Sequence, residues 1–108
     1  MMGWLRNWRI ERAARRYAAE LPPALLEALG WRKYYTVCQV RTVVKALGLD
    51  SKYIVLGHAC FLPEERFRDE LESMKLRLPY AQARAIMARH LPQYTAPGGW
   101  LADTPIVQ

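Results

Sequence analysis

Five arginines fall within the first twenty residues, Arg6, Arg9, Arg12, Arg15 and Arg16, with Trp4 and Trp8 among them. Guanidinium groups at this density can follow a phosphate backbone while the indoles stack on bases, a mode that binds without reading sequence. With Met1, Met2 and Leu5 they also suit a helix lying at an anionic lipid surface. A third use is to meet an acidic protein, and the plainest is a solvated basic face. A second positive, aromatic cluster, Arg32-Lys33-Tyr34-Tyr35, has the composition of a recognition patch. Its plainer reading is that one tyrosine caps the core and the other shields it.

The charge totals point the same way. Sixteen Lys and Arg against ten Asp and Glu give a net +6. Residues 1–45 carry nine basic and three acidic side chains and residues 46–108 seven of each, so the excess lies in the first part. The residues expected to meet an anionic partner are Trp4, Trp8, Arg9, Arg12, Arg15, Arg16, Arg32, Lys33 and Tyr35.

Other chemistry is harder to assemble. His58 and Cys60 form an H-x-C pair that, with Cys38 and His90, could supply four zinc ligands. Structural zinc sites usually bring paired ligands from both halves, whereas Cys38 and His90 are singletons, so a core histidine and two small buried thiols are expected instead. A cysteine nucleophile needs an exposed thiolate, and Cys38, beside the Val37/Val40 face, and Cys60 both read as buried. Glu64, Glu65, Asp69, Glu70 and Glu72 crowd one segment with Arg66 and Arg68, the pattern of an outer face rather than of paired catalytic carboxylates. There is no Gly-rich phosphate loop and no G-x-S-x-G. Val44–Ile54 can be laid on a helix-turn-helix, but the reading face would be Val55, Leu56, His58 and Ala59, almost without donors for base edges. No catalytic residue, metal or cofactor is therefore expected.

These residues need elements to hold them. At 108 residues the chain is one domain, too short for a doubly wound sheet or a (β/α) barrel. Ile10, Ala13, Ala14, Tyr17 and Leu21 share one side of a helix over about 4–20, with the arginines opposite. If that apolar side is used by the core, only the first two turns are free to enter a bilayer. Leu21-Pro22-Pro23 should end the helix, Pro23–Leu29 should form another, and Gly30 should stop it. Thr36 reads as the N-cap of a helix with Val37, Val40, Val44 and Leu47 on one face, stopped by Gly48. Tyr53–Phe61 is apolar all round and has no partner strand, which makes it a short buried helix. Pro63 opens a helix with Phe67, Leu71 and Met74 inward and a Glu64–Arg68 pair; Pro79 opens the last, with Tyr80, Ala83, Met87 and Leu91 inward, and Pro92 ends it. The expectation is an all-α domain of five or six short helices over 1–92. An irregular tail over 93–108 carries Pro97, Gly98, Gly99 and Pro105, and in it Trp100 and Leu101 either fold back or form a docking peptide.

Leu21-Pro22-Pro23, Tyr34-Tyr35-Thr36, Gln39-Val40 and Ala46-Leu47-Gly48-Leu49 together resemble a family of small uncharacterised proteobacterial proteins. These have a basic first helix and a Tyr-Tyr-Thr-x-x-Gln-Val element, and the likeness covers roughly residues 4–75. It implies a bacterial cytoplasmic protein and adds no mechanism. No secretory h-region and no window of ~20 apolar residues is present, so a cytoplasmic chain with free thiols is expected. The resulting functional expectation is a non-catalytic module that binds an acidic protein through its basic Trp/Arg surface, ahead of nucleic acid or an anionic membrane.

Overall fold

A computed structural model describes residues 2–94 and 98–104, with side chains from Leu5 onward. Five helices carry the fold: α1 (Met2–Leu29), α2 (Val37–Leu47), α3 (Ile54–Phe61), α4 (Glu64–Glu70) and α5 (Tyr80–Ala88). Short 3-10 turns lie at Ser51–Tyr53, Leu71–Ser73 and Pro92–Tyr94, and no strand occurs among the described residues. The domain is all-α, as its patterning predicts.

The first helix departs from expectation. It runs for 28 residues straight through Pro22 and Pro23, where the sequence predicts a break and a second helix. Each proline removes an i→i−4 hydrogen bond and crowds the preceding turn, a cost of about 3 kcal/mol or more in a free helix. Packing overrides that cost. Ile10, Ala14, Tyr17, Ala18, Leu21 and Leu25 are all buried, and they form one stripe whose i,i+3/i+4 rhythm continues across the prolines. At 1.5 Å per residue such a helix is about 42 Å long, which matches the 42 Å long axis of the molecule.

The remaining helices form as their signals dictate. Thr36 caps α2: its hydroxyl accepts from the Gln39 amide at 3.1 Å while the Gln39 side chain accepts from the Thr36 amide at 3.0 Å. Gly48 ends α2 in the left-handed region, at φ 70°. α3 is the centre of the molecule, packed against α1, α2, α4 and α5, and every residue from Val55 to Leu62 is buried. Gly57 lets α1 come that close: a Cβ there would stand 3.0 Å from Leu21 Cδ2. The acidic α4 carries the expected Glu64–Arg68 pair at 2.9 Å.

Residues 98–104 are irregular but docked. Trp100 and Leu101 are buried in the core, which resolves the alternatives in favour of folding back. Trp100 packs edge-on to Phe61 with centroids 4.9 Å apart, stacks with Trp31 at 6.1 Å, and donates its indole N–H to the Arg32 carbonyl at 2.6 Å. Gly99 crosses the Tyr94 backbone so closely that any Cβ would collide with the Tyr94 carbonyl.

Candidate functional site

α1 places Trp8, Arg9, Arg12 and Arg16 on its outer side because its opposite stripe is in the core. These four line a depression of about 370 Å³ whose floor is Ala13 and Tyr17 and whose far wall is Leu49, Asp50 and Tyr53, from the segment that follows α2. Tyr17 ties the two walls together by donating its hydroxyl to the Asp50 carbonyl at 2.6 Å. Burial first, and the nearby Asp50 second, raise the Tyr17 hydroxyl well above the ordinary tyrosine range, so it stays a donor. Trp8 is 52% exposed, with the Arg12 guanidinium 5.4 Å from its ring centre. A smaller hollow, sharing Arg9 and Tyr53, extends the surface to Arg6 and Lys52, and the Lys52 ammonium lies 5.7 Å from the Tyr53 ring. Arg15 is exposed on the same helix. Among the described residues Arg6, Arg9, Arg12 and Arg15 have no acidic partner, while Arg16 is paired with Glu20 at 2.7 Å. The result is a groove with an apolar floor, one exposed aromatic rim at Trp8, a half-buried one at Tyr53, and surplus positive charge.

The nine residues expected to bind do not form one surface. Arg32 and Lys33 lie beyond the other end of α1, roughly 30 Å from Trp8 by helix rise. Tyr35 is no surface residue: it is 4% exposed, packs edge-on to Phe61, and donates its hydroxyl to the Gly30 carbonyl at 2.8 Å. Tyr35 therefore caps the core while Tyr34 stays outside. The Trp4 side chain lies outside the described residues. Arg15 does not line the groove, whereas Leu49, Asp50 and Tyr53 do, with Lys52 in the adjoining hollow. Sequence reasoning missed that second wall because α2 and its following turn come into register with α1 only in three dimensions.

The other chemical candidates are scattered. Cys38 is exposed, against expectation, because two residues before Val40 places it some 200° around the helix from the buried Val40/Val44 face. Cys60 is buried, and burial pushes its thiol up to about 12. His90 pairs with Glu11 at 2.7 Å, and Arg89 joins the same carboxylate. Burial would raise Glu11, but these hydrogen bonds hold it below the usual carboxylate range. No three His, Cys, Asp or Glu side chains come together as a metal site among the described residues. The helix-turn-helix alternative fails on burial: Val55, Leu56, His58 and Ala59 all face the core.

Arg84 was not singled out by sequence, since it stands between Ala83 and Met87 on a core helix. It is buried and donates to Ala59 O (2.9 Å), Trp100 O (3.2 Å), Thr104 Oγ1 (3.0 Å), Asp103 Oδ1 (2.6 Å) and Tyr80 Oη (3.1 Å). Nε and Nη2 hold residues 100–104 on the body, and Nη1 ties α5 to the Ala59 carbonyl of α3 and to Tyr80.

No helix among the described residues is long and apolar enough to cross a membrane. Residues 5–93 match a family of unknown function (DUF6559), and the chain belongs to that family. No curated protein and no solved structure matches it.

Proposed function

We propose that this member of the family is a non-catalytic binding module of the bacterial cytoplasm, and that its α1 groove takes an acidic protein segment carrying one apolar side chain. The observation that carries this is the lining of the 370 Å³ depression, in which Trp8, Arg9, Arg12 and Arg16 stand around a floor of Ala13 and Tyr17 and face a wall that includes Leu49. A bare phosphate backbone has nothing to set on an apolar floor, and a bilayer cannot enter a furrow walled by Asp50 and Tyr53. An extended or helical acidic segment uses both parts: its carboxylates meet the arginines and its apolar side chain meets the floor. The two free cysteines and the resemblance to small proteobacterial proteins support the cytoplasmic assignment.

The test is fluorescence anisotropy of three labelled probes at two salt concentrations: a Glu/Asp-rich peptide with a central Leu, single-stranded DNA, and anionic vesicles. The peptide is expected to bind, and Arg12→Glu with Arg16→Glu should weaken it by at least about tenfold. Replacing the central Leu by Ser should also weaken it. Binding to DNA alone, lost steeply with salt, would transfer the groove to nucleic acid. Binding to vesicles alone would transfer it to a membrane surface.

A further inference from the structure

Residues 99–104 form a strap with hydrogen bonds of its own. The Ala102 amide donates to the Gly99 carbonyl at 3.3 Å and the Thr104 amide to the Leu101 carbonyl at 3.0 Å. The strap enters a slot on the body. Its Trp100 ring sits among Tyr35, Phe61 and Tyr94, with centroids 6.4, 4.9 and 4.6 Å away, and its indole N–H reaches the Arg32 carbonyl. Arg84 holds the Trp100 carbonyl, the Asp103 carboxylate and the Thr104 hydroxyl. The Leu101 amide donates to the Tyr94 carbonyl at 2.8 Å, and the close crossing of Gly99 over Tyr94 belongs to the same seam.

These strap-to-slot contacts join residues 99–104 to residues 32–94. None of them requires strap and slot to belong to the same copy. What is specific to docking within one copy is the turn that leads into the strap, where Gly98 stands at φ 87°. That left-handed value favours glycine. Nothing lies within 4 Å of the place a Gly98 Cβ would take, so φ and not space calls for glycine there. An extended connection makes no such demand. The slot therefore fits a second copy's strap as well as its own. A chain's own strap has the advantage of a short tether, worth an effective concentration in the mM range.

We propose that residues 99–104 are an exchangeable strap, that the slot around Arg84, Phe61 and Tyr94 takes the same strap from a second copy to give a reciprocal dimer, and that the turn at Gly98 sets the balance between the two forms. The inference does not rest on the α1 groove, although an exchanged dimer carries two of them.

The experiment mixes two differently isotope-labelled batches of the full chain, unfolds them together in urea and refolds them at about 1 mM, where a second copy competes with the tether. A dimer is expected, with NOEs between the Trp100 ring of one label and the Phe61 ring of the other; refolding at micromolar concentration should give monomer. Gly98→Pro fixes φ at roughly −65°, which the closed turn cannot use, and should strengthen dimerisation by at least about tenfold in sedimentation equilibrium. Arg12→Glu with Arg16→Glu should leave the dimer unchanged, so the groove and the strap can fail separately. Monomer alone at about 1 mM, a dimer whose Trp100–Phe61 NOEs stay within one label, or a folded Gly98→Pro chain no more dimeric than the wild type would each overturn the proposal. If Gly98→Pro does not fold, the NOEs of the wild-type mixture decide alone.

Discussion

Two groups of arginine do opposite things in this molecule. Arg84 is buried, aromatic on one side with Tyr80 and hydrogen-bonded by every branch of its guanidinium to α3, α5 and residues 100–104. Arg9, Arg12 and Arg15 are exposed on α1, and no carboxylate meets them among the described residues. The same side chain is architecture in one place and surplus in the other. Desolvation separates the two: a charge removed from water must be fully partnered, whereas a solvated charge can wait for a partner. Arg84 and Asp103 cancel within the net +6 of the chain, whereas Arg9, Arg12 and Arg15 count toward it.

The contrast can be broken at its strong end first. Arg84→Met should lower stability by about 3–5 kcal/mol, because the carbonyls of Ala59 and Trp100 lose donors and residues 100–104 lose their anchor. Urea unfolding measures this, and a loss below about 1 kcal/mol would mean that packing of Trp100 alone holds the segment. A second test concerns the buried imidazole. Burial, helped by Arg41, lowers His58 from its ordinary 6.5 to about 4. The unfolded chain then binds a proton that the folded chain refuses, so stability should fall as pH drops from about 6.5 to about 4, by about 3 kcal/mol in all. The Glu11 carboxylate, held low by Arg89 and His90, adds its own loss only below the ordinary glutamate range near 4.3, so a decline already present at pH 5.5 belongs to His58. A flat stability between pH 7 and 5 would show that the imidazole is not held neutral. The smallest effect is the sharpest for the comparison: Arg12→Glu with Arg16→Glu should change stability by no more than about 0.5 kcal/mol, even though Arg16 loses its pair with Glu20. A larger loss would make the outer face of α1 architectural too.

What the sequence reveals follows the range of its interactions. α2 is legible from Thr36, Val40, Val44 and Gly48, because caps and i,i+4 packing are local. α3 is legible from its uniform apolarity and the lack of a partner strand. The break at Pro22-Pro23 is read wrongly because the local rule for proline is outweighed by Leu21 and Leu25 continuing the buried stripe, a signal that is in the sequence but belongs to a longer window. The basic half of the groove is visible as five arginines on one helix. Its other wall, Leu49, Asp50 and Tyr53, is not, since nothing in their spacing announces that they face Trp8. Arg84 is invisible for the same reason: four of its five partners lie 16 to 25 residues away.

Trp100 also sets a timetable for biosynthesis. Its indole fills the space between Tyr35, Phe61 and Tyr94, and its carbonyl is one of the acceptors for Arg84. During translation α1 to α5 emerge first, with a hole where that ring belongs and an unsatisfied guanidinium beside it. Domains often fold as they leave the ribosome, but this one cannot finish until residues up to 104 are clear of the exit tunnel. Until then, the nascent helices expose the aromatic cluster that the finished protein hides, and it is in that interval that a chaperone would find a surface to hold.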